Sequence, residues 1–427
     1  MDCVIDPAAG VAAPVSPSHP AAGSRPASTG APLSAALRER LARDFHDRFH
    51  REWGGRFFTH GRVPGPDAIR LDGNDYLSVV DHPEIVQAQL QALAHARSAV
   101  VQSSIFQFGD TPAGRFERDM ADWLGAEDSF LCQSGYAANL GLLQILADPG
   151  SPVYLDMMAH MSLWEGVRAS GAVAHGFRHN DPAHLRKLMA QHGPGVVVVD
   201  TVYSATGALC RLAEVVEAAE AGGSMVVADE SHALGTHGPQ GRGLCAHLGL
   251  THRVHFITAS LAKSFAGRAG IFTLPRELRD YLAVHSFPFI FSSSLLPHEV
   301  AGLHATLHVI RRSDAARAAL TRHTARLRGT LAGLGYPIAQ GSEQIIALEA
   351  GTEVATLALR DALEARGVFG AVFISPATSR NRALVRLTLN AGLTEAEVAQ
   401  VEAVAAEIAP LVRPWDWAAA RRQRVAA

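Results

Sequence analysis

Met225-Val226-Val227-Ala228-Asp229-Glu230-Ser231-His232 and Val254-His255-Phe256-Ile257-Thr258-Ala259-Ser260-Leu261-Ala262-Lys263 decide the fold. Each is a short apolar run that stops abruptly at side chains able to do chemistry. Val196–Val199 ends in the same way, at Asp200. Continuous β-branched runs of this length read as strands buried on both faces, the mark of a parallel sheet.

Outward from these runs, helix and strand patterns alternate. Helices are expected over Ile85–Ala99, Gly114–Leu124, Ala137–Leu146, Ser162–Ala169 and Ala213–Ala221. Strands are expected over Ser129–Cys132, Val153–Leu155, Met225–Ala228 and Val254–Thr258. Such alternation predicts an α/β fold, a mostly parallel sheet covered by helices on both faces. Ligands then bind beyond the carboxyl ends of the strands.

After Pro297 the texture changes. One long helical stretch, His298–Leu334, is followed by a strand (Gln344–Leu348), a helix (Val354–Arg366), a strand (Val385–Leu389) and a helix (Glu395–Ile408). This predicts a smaller α+β C-terminal domain. At the other end, residues 1–32 hold eight Ala and six Pro and are expected to be disordered. A helix is expected from Leu33 to Phe58. The expected division is therefore 1–32 tail, 33–72 helical segment, 73–297 large domain and 298–427 small domain.

Composition excludes several classes of function. The 427 residues are 48% apolar and carry a net charge of −3, so no basic balance argues for nucleic acid. No apolar run reaches the roughly 18 residues of a membrane helix, and the N-terminus lacks a secretory pattern. Cys3, Cys132, Cys210 and Cys245 form no CxxC. They suggest neither a disulfide framework nor a zinc motif, and fit a reduced cytoplasmic setting. No metal is expected at the site.

The residues after the strands carry the chemistry. Asp229 at a strand end points into the ligand crevice; alone, it also reads as a helix N-cap. Lys263 follows the next strand amid small and apolar residues, where desolvation disfavours its ammonium form and frees the amine as a nucleophile. Alone, it also reads as a surface lysine. Lys187, in an amphipathic helical pattern, reads as solvated. Acid and lysine together suit pyridoxal phosphate, which needs an amine for its aldehyde and an acid at its pyridine nitrogen. Ser134-Gly135-Tyr136 precedes a helix whose first amides can hold a phosphate. Ser260 offers a hydroxyl near Lys263, and His160 an imidazole ring to cover the cofactor face.

The ordered set Asn74-Asp75-Tyr76-Leu77, Ser134-Gly135-Tyr136-Ala137-Ala138-Asn139, Asp156…His160, Tyr203-Ser204, Asp229-Glu230-Ser231-His232…Gly241-Arg242-Gly243 and Ser260…Lys263 resembles the α-oxoamine synthase family. These are fold-type-I pyridoxal-phosphate transferases that condense an amino acid with an acyl-CoA. The resemblance covers about residues 70–410. It implies a large domain with a mostly parallel seven-stranded sheet, plus the smaller domain. By it, Lys263 forms the internal aldimine and moves the α-proton, and Asp229 pairs with the pyridine nitrogen. His232 and Ser204 lie near the ring hydroxyl, and His160 stacks on the ring. Ser134, Gly135, Tyr136 and Ser260 flank the cofactor or its phosphate. Arg386, helped by Asn74, grips the amino-acid carboxylate. The family's sites are shared between two subunits, so a homodimer is implied. Ser293, in Phe291-Ser292-Ser293-Ser294, matches the segment that reaches the neighbour's phosphate; it also reads as a plain Ser-rich loop.

Departures from the family pattern narrow the function. Ser103–Asp110 replaces a Gly-rich segment, Ile374–Ser379 replaces an Arg-Pro-Pro stretch, and Ser231 stands where the family has Ala. Lys263-Ser264-Phe265-Ala266 departs from Lys-Ala-Phe-Gly. With Phe287-Pro288-Phe289-Ile290-Phe291, these changes resemble the branch that makes α-hydroxyketone quorum-sensing signals. That branch implies a medium- or long-chain acyl-CoA and 2-aminobutyrate or S-adenosylmethionine as substrates, giving an α-aminoketone with loss of CO2. An 8-amino-7-oxononanoate synthase or another glycine/alanine acyltransferase is the alternative within the family; an aminotransferase or lyase is the alternative outside it.

Overall fold

The computed structural model describes residues 31–95, 102–107, 109–338, 341 and 344–426. The Ala/Pro-rich tail up to residue 30 and the end of the helix expected over Ile85–Ala99 lie outside the described residues.

The described residues 31–54 belong to a unit of their own. Ser34 caps a helix at Ala35–Leu41, a π-helical turn covers Ala42–His46, and Asp47–Arg51 closes the run. The helix stops short of the expected Phe58. Its end is held by the Trp53 ring, which meets Phe45 and Phe49 edge-on at 6.0 and 6.4 Å and lies under the Arg48 guanidinium.

The second unit runs from Gly55. Its strands are β1 (Ile69–Leu71), β2 (Asp128–Cys132), β3 (Pro152–Asp156), β4 (Val173–Phe177), β5 (Val196–Asp200), β6 (Met225–Asp229), β7 (Phe256–Ser260), β8 (Gly270–Leu274), β9 (Ile345–Gly351), β10 (Val368–Phe373) and β11 (Ala383–Thr388). The larger sheet has seven strands in the order β2-β8-β7-β6-β5-β3-β4. The run from β7 through β6, β5 and β3 to β4 is parallel; β8 is antiparallel to both β7 and β2.

Both faces of this sheet are buried, which explains the unbroken valines of β5. Val197 and Val199 pack with Leu185, Met189, Val215 and Val216 of the helices Pro182–His192 and Leu212–Ala221. Val196 and Val198 pack with Leu142, Leu143, Leu163 and Val167 of Gly135–Leu146 and Met161–Ser170. A polar residue at any of these positions would be buried without a partner.

The smaller sheet has the order β1-β10-β11-β9. Helices Asp314–Gly333, Glu353–Glu364 and Glu395–Val412 supply Leu320, Leu327, Leu359, Leu363, Val401 and Ile408 to its core. Its edge strand β1 comes from residues read above as part of the helical segment. Ile69 is in register with Val368, a pairing across the whole chain that local pattern does not reveal.

The stretch expected as one helix over His298–Leu334 is two: Pro297–Arg311 and Asp314–Gly333. The break sits at Arg312-Ser313. Ser313 Oγ donates to the Val309 carbonyl at 2.7 Å, and Arg317 reaches back to the Ile310 carbonyl at 2.9 Å and to Asp314 at 2.6 Å. These bonds satisfy carbonyls that a continuous helix would have bonded itself.

Candidate active site

Three parallel strands end in acids: Asp156 on β3, Asp200 on β5 and Asp229 on β6. All three are buried, and Asp200 and Asp229 are register neighbours. Asp156 accepts from the Met158 and Asn180 amides at 2.8 and 2.9 Å and faces His179. Asp200 accepts from the His160 amide at 3.0 Å. Burial first, and then the Asp229 and Asp156 carboxylates, push the Asp200 carboxyl well above the usual range.

Asp229 is fixed from two sides. Asn139 Nδ2 donates to its Oδ2 at 2.7 Å, and the Ser231 amide donates to its Oδ1 at 2.8 Å. Asn139 is itself locked, donating to Ser162 Oγ at 2.9 Å and accepting from Thr258 Oγ1 at 2.6 Å. Ser162 Oγ in turn meets His160 Nδ1 at 2.8 Å. One chain of hydrogen bonds thus joins the acid on β6 to the imidazole before the helix Met161–Ser170. Burial holds the His160 proton affinity below the ordinary value; Asp229 opposes this, and Lys263 adds to it.

Lys263 lies in the nine residues between β7 and β8 (Leu261–Ala269). The antiparallel turn-back is what makes that connection tight. Leu261 donates to the Ala269 carbonyl at 2.9 Å, Gly267 to Leu261 at 3.0 Å, and Ala266 to the Lys263 carbonyl at 2.8 Å. Burial, then the Arg386 guanidinium, hold the Lys263 ammonium below the usual lysine range, against the pull of Asp229. The amine has no hydrogen-bond partner among the described residues. The sequence holds one other lysine, Lys187, on the helix Pro182–His192.

The smaller sheet supplies the opposite wall. Arg386, on β11, is 5% exposed. It donates to the Ser204 carbonyl at 2.7 Å and to Asn74 Oδ1 at 3.0 Å, and its plane covers Phe373 at 4.6 Å. Its Nε is buried with no partner. Every partner is neutral, so a buried cation stands without a protein anion. The Asn74 oxygen also faces the Tyr76 hydroxyl at 3.4 Å, and that hydroxyl bonds His232 Nδ1. His232 Nε2 is the ring nitrogen left for a ligand. Burial, then Lys263, Arg386 and His160, hold the His232 proton affinity well below the ordinary value, so the ring is neutral.

A third part of the region is built at Gly135, where a helix begins. Ser134 caps the helix Gly135–Leu146, its hydroxyl accepting from the Ala137 amide at 3.1 Å. A Cβ on Gly135 would stand 2.5 Å from Ser260 Cβ and 2.7 Å from its Cα. Only glycine lets this helix start lie against the end of β7. Ser231 Oγ accepts from the Ser260 amide at 2.7 Å, tying the ends of β6 and β7 together. Tyr136 is exposed on the first turn.

Of the expected residues, Asp229, His160, His232, Asn74, Arg386 and Ser204 are held by two hydrogen-bond networks, the first running through Asn139. Asp229, His160 and Ser162 form the first; His232, Tyr76, Asn74, Arg386 and Ser204 form the second. Ser204 takes part through its carbonyl. Ser293 is placed by its backbone, its carbonyl accepting from Gln133 Nε2 at 2.7 Å, one residue before Ser134. Asn139, Tyr76 and Thr258 are site residues whose roles sequence reasoning missed. A polar Asn inside the apolar run of the helix Gly135–Leu146 was the available signal.

These residues fit pyridoxal phosphate. A buried acid is held in orientation, a lysine amine is free, and a glycine cradle lies at a helix start. The profile of the aminotransferase class I and II family matches residues 66–404. The chain belongs to that family. It is 44% identical to a CAI-1 autoinducer synthase of Vibrio campbellii, over 87% of this chain and 94% of that protein. It is 31% identical to an 8-amino-7-oxononanoate synthase of Mycolicibacterium gilvum, over 83% and 93%. A solved serine palmitoyltransferase of Sphingomonas wittichii superposes with a TM-score of 0.80 at 25% identity, covering 88% of this chain and 99% of that one. A second, described as holding pyridoxal phosphate as internal aldimine, gives a TM-score of 0.82 at 24% identity, with the same shares covered. The fold is that of the fold-type-I transferases, as the sequence implied, and pyridoxal phosphate is the cofactor. The chain is an enzyme, an acyltransferase of the α-oxoamine synthase type. No helix among the described residues is long and apolar enough to cross a membrane.

Proposed function

We propose that the enzyme condenses an amino acid, 2-aminobutyrate or S-adenosylmethionine, with a medium- or long-chain acyl-CoA. The product is an α-aminoketone that leads to an α-hydroxyketone quorum-sensing signal. The observation that carries this reading is the 44% identity to the autoinducer synthase across 94% of that protein's length. A homodimer with shared sites and a cytoplasmic location go with this reading.

The chain's own residues have these roles. Arg386, left without a protein anion, takes the amino-acid carboxylate through its planar fork, with Asn74 setting the fork's plane. The Lys263 amine, with its charged form disfavoured, holds the cofactor and takes the α-proton at Nζ. Asp229 keeps a proton on the pyridine nitrogen, and Asn139 keeps Asp229 aimed at it. His160 covers one face of the ring, and neutral His232, with Ser204 beside it, faces the ring hydroxyl. Ser134, Gly135, Tyr136 and Ser260 surround the phosphate, and Ser293 serves the partner's. When bound, pyridoxal phosphate supplies an electron sink for the charge left on the α-carbon. That carbon bonds the acyl carbon as the thioester C–S bond breaks. CoA leaves as its thiolate, the carboxylate departs as CO2, and the electron pair left on the α-carbon takes a proton back from Lys263 Nζ.

The test is CoA thiol release by cofactor-loaded protein given decanoyl-, pimeloyl- or succinyl-CoA, each with 2-aminobutyrate, S-adenosylmethionine, alanine or glycine. Release with decanoyl-CoA and one of the first two amino acids supports the proposal. Release confined to pimeloyl-CoA and alanine moves the enzyme to 8-amino-7-oxononanoate synthesis, and no release from any pair refutes both. Lys263→Ala is expected to lose turnover and the visible band of the lysine-bound cofactor.

A further inference from the structure

Away from the active site, three metal-ligating side chains meet across a helix pair. His304 and His308 lie one turn apart on the helix Pro297–Arg311, and Asp119 projects from the helix Pro112–Leu124. One ligand atom from each lies within 4.8 Å of the other two. The helices are packed through Phe116, Met120, Leu303 and Leu307, so the backbone that carries the ligands is fixed by an apolar seam. Phe116 also meets the His304 ring edge-on, with centroids 5.9 Å apart. His304 Nε2 bonds Asp119 Oδ2, and the two imidazoles lie nearly parallel, 22° apart with centroids at 5.1 Å.

We propose that Asp119, His304 and His308 bind a borderline divalent transition-metal ion, Zn2+ in the first instance, clamping the two helices together. Two imidazoles and one carboxylate are the donor set such an ion prefers over Mg2+ or Ca2+. Bonds of roughly 2.0–2.2 Å place two ligand atoms at most about 4 Å apart. The remaining closure needs only rotation of His308, the exposed member of the three. Solvent on that side supplies a fourth, water ligand.

The experiment uses untagged, cofactor-loaded protein, because the chain's 21 histidines make difference measurements necessary. Wild type, His308→Gln and His304→Ala are dialysed against micromolar Zn2+, and bound metal is counted. Wild type is expected to hold one equivalent more than either variant. Added Zn2+ is expected to raise its melting temperature by about 3 °C or more, a rise that His308→Gln lacks. Co2+ is expected to give a visible ligand-field spectrum that both variants lose. The exposed His308→Gln change keeps the test valid if His304→Ala fails to fold. Equal stoichiometry in wild type and His308→Gln, or no bound equivalent in wild type, overturns the proposal.

Discussion

Replacing Arg386 by lysine tests the site at its most unusual feature, a buried guanidinium with neutral partners only. The change keeps the charge and removes the fork. In the structure one arm reaches the Ser204 carbonyl at 2.7 Å and the other reaches Asn74 Oδ1 at 3.0 Å. A lysine ammonium from the same strand position can satisfy one of these oxygens, and it loses the flat contact over Phe373 at 4.6 Å. Toward a substrate carboxylate, two parallel charge-assisted bonds become one. A hydrogen bond to a charged group contributes about 1.5–3 kcal/mol. The expected loss in kcat/KM for the amino acid is therefore roughly 10- to 150-fold. The KM for acyl-CoA is expected to stay within about twofold, because that substrate has no carboxylate for this arginine. Steady-state kinetics with the amino acid varied at saturating acyl-CoA, then the reverse, separate the two effects. Circular dichroism and cofactor absorbance establish that the variant is folded and loaded. An amino-acid kcat/KM within about threefold of wild type, in a folded and loaded variant, refutes the assignment of Arg386 to the carboxylate.

Gly135→Ala forces a methyl group against the Ser260 backbone at 2.7 Å. It is expected to cost about 1–3 kcal/mol of stability and at least about tenfold in cofactor affinity, read by fluorescence titration with pyridoxal phosphate. Asn139→Ala removes the donor to Asp229 Oδ2 while leaving the Ser231 amide in place, so turnover should fall by about 10- to 100-fold with the cofactor still bound. Glu230→Gln is expected to lose about 1–3 kcal/mol in urea unfolding, since the Leu244 and Cys245 amides donate to its carboxylate at 2.8 and 2.6 Å and an amide nitrogen cannot accept them. For the cofactor-free protein, His232 sets a pH dependence of definite sign. Its folded proton affinity lies well below the ordinary histidine value of about 6.5, so stability is complete above that pH and falls as pH drops toward the folded value. The slope is about 1.4 kcal/mol per pH unit, and His232→Gln should flatten it in urea titrations between about pH 6.5 and 5.

What could be read from the sequence follows from where the physics is local. The acids at the ends of β5 and β6 were legible because a strand buried on both faces must be apolar throughout, so its first polar residue marks the crevice. Lys263 was legible for the same reason. β4 and β8 were not. β4 is a half-exposed edge carrying His175 and Gly176, and β8 is a run of only five residues that itself opens on a glycine. The break at Arg312-Ser313 was hidden because its residues suit a helix; side chains bonding back to Val309 and Ile310 end it. The largest omission concerns contacts between distant residues. Tyr76 touches His232 across 156 positions, and Asn74 holds Arg386 across 312. A pattern of apolar and polar residues reports which face is buried, not which distant residue lies opposite. The consequence for function is specific. The residues that could be named from motif alone, Lys263, Asp229 and Arg386, are those proposed to touch cofactor or substrate. Asn139 and Tyr76 stand in the quoted motifs without a role there; that Asn139 holds Asp229 and Tyr76 holds His232 became visible only in the fold. Variants at these two positions are therefore where turnover is expected to fall while cofactor and substrates still bind.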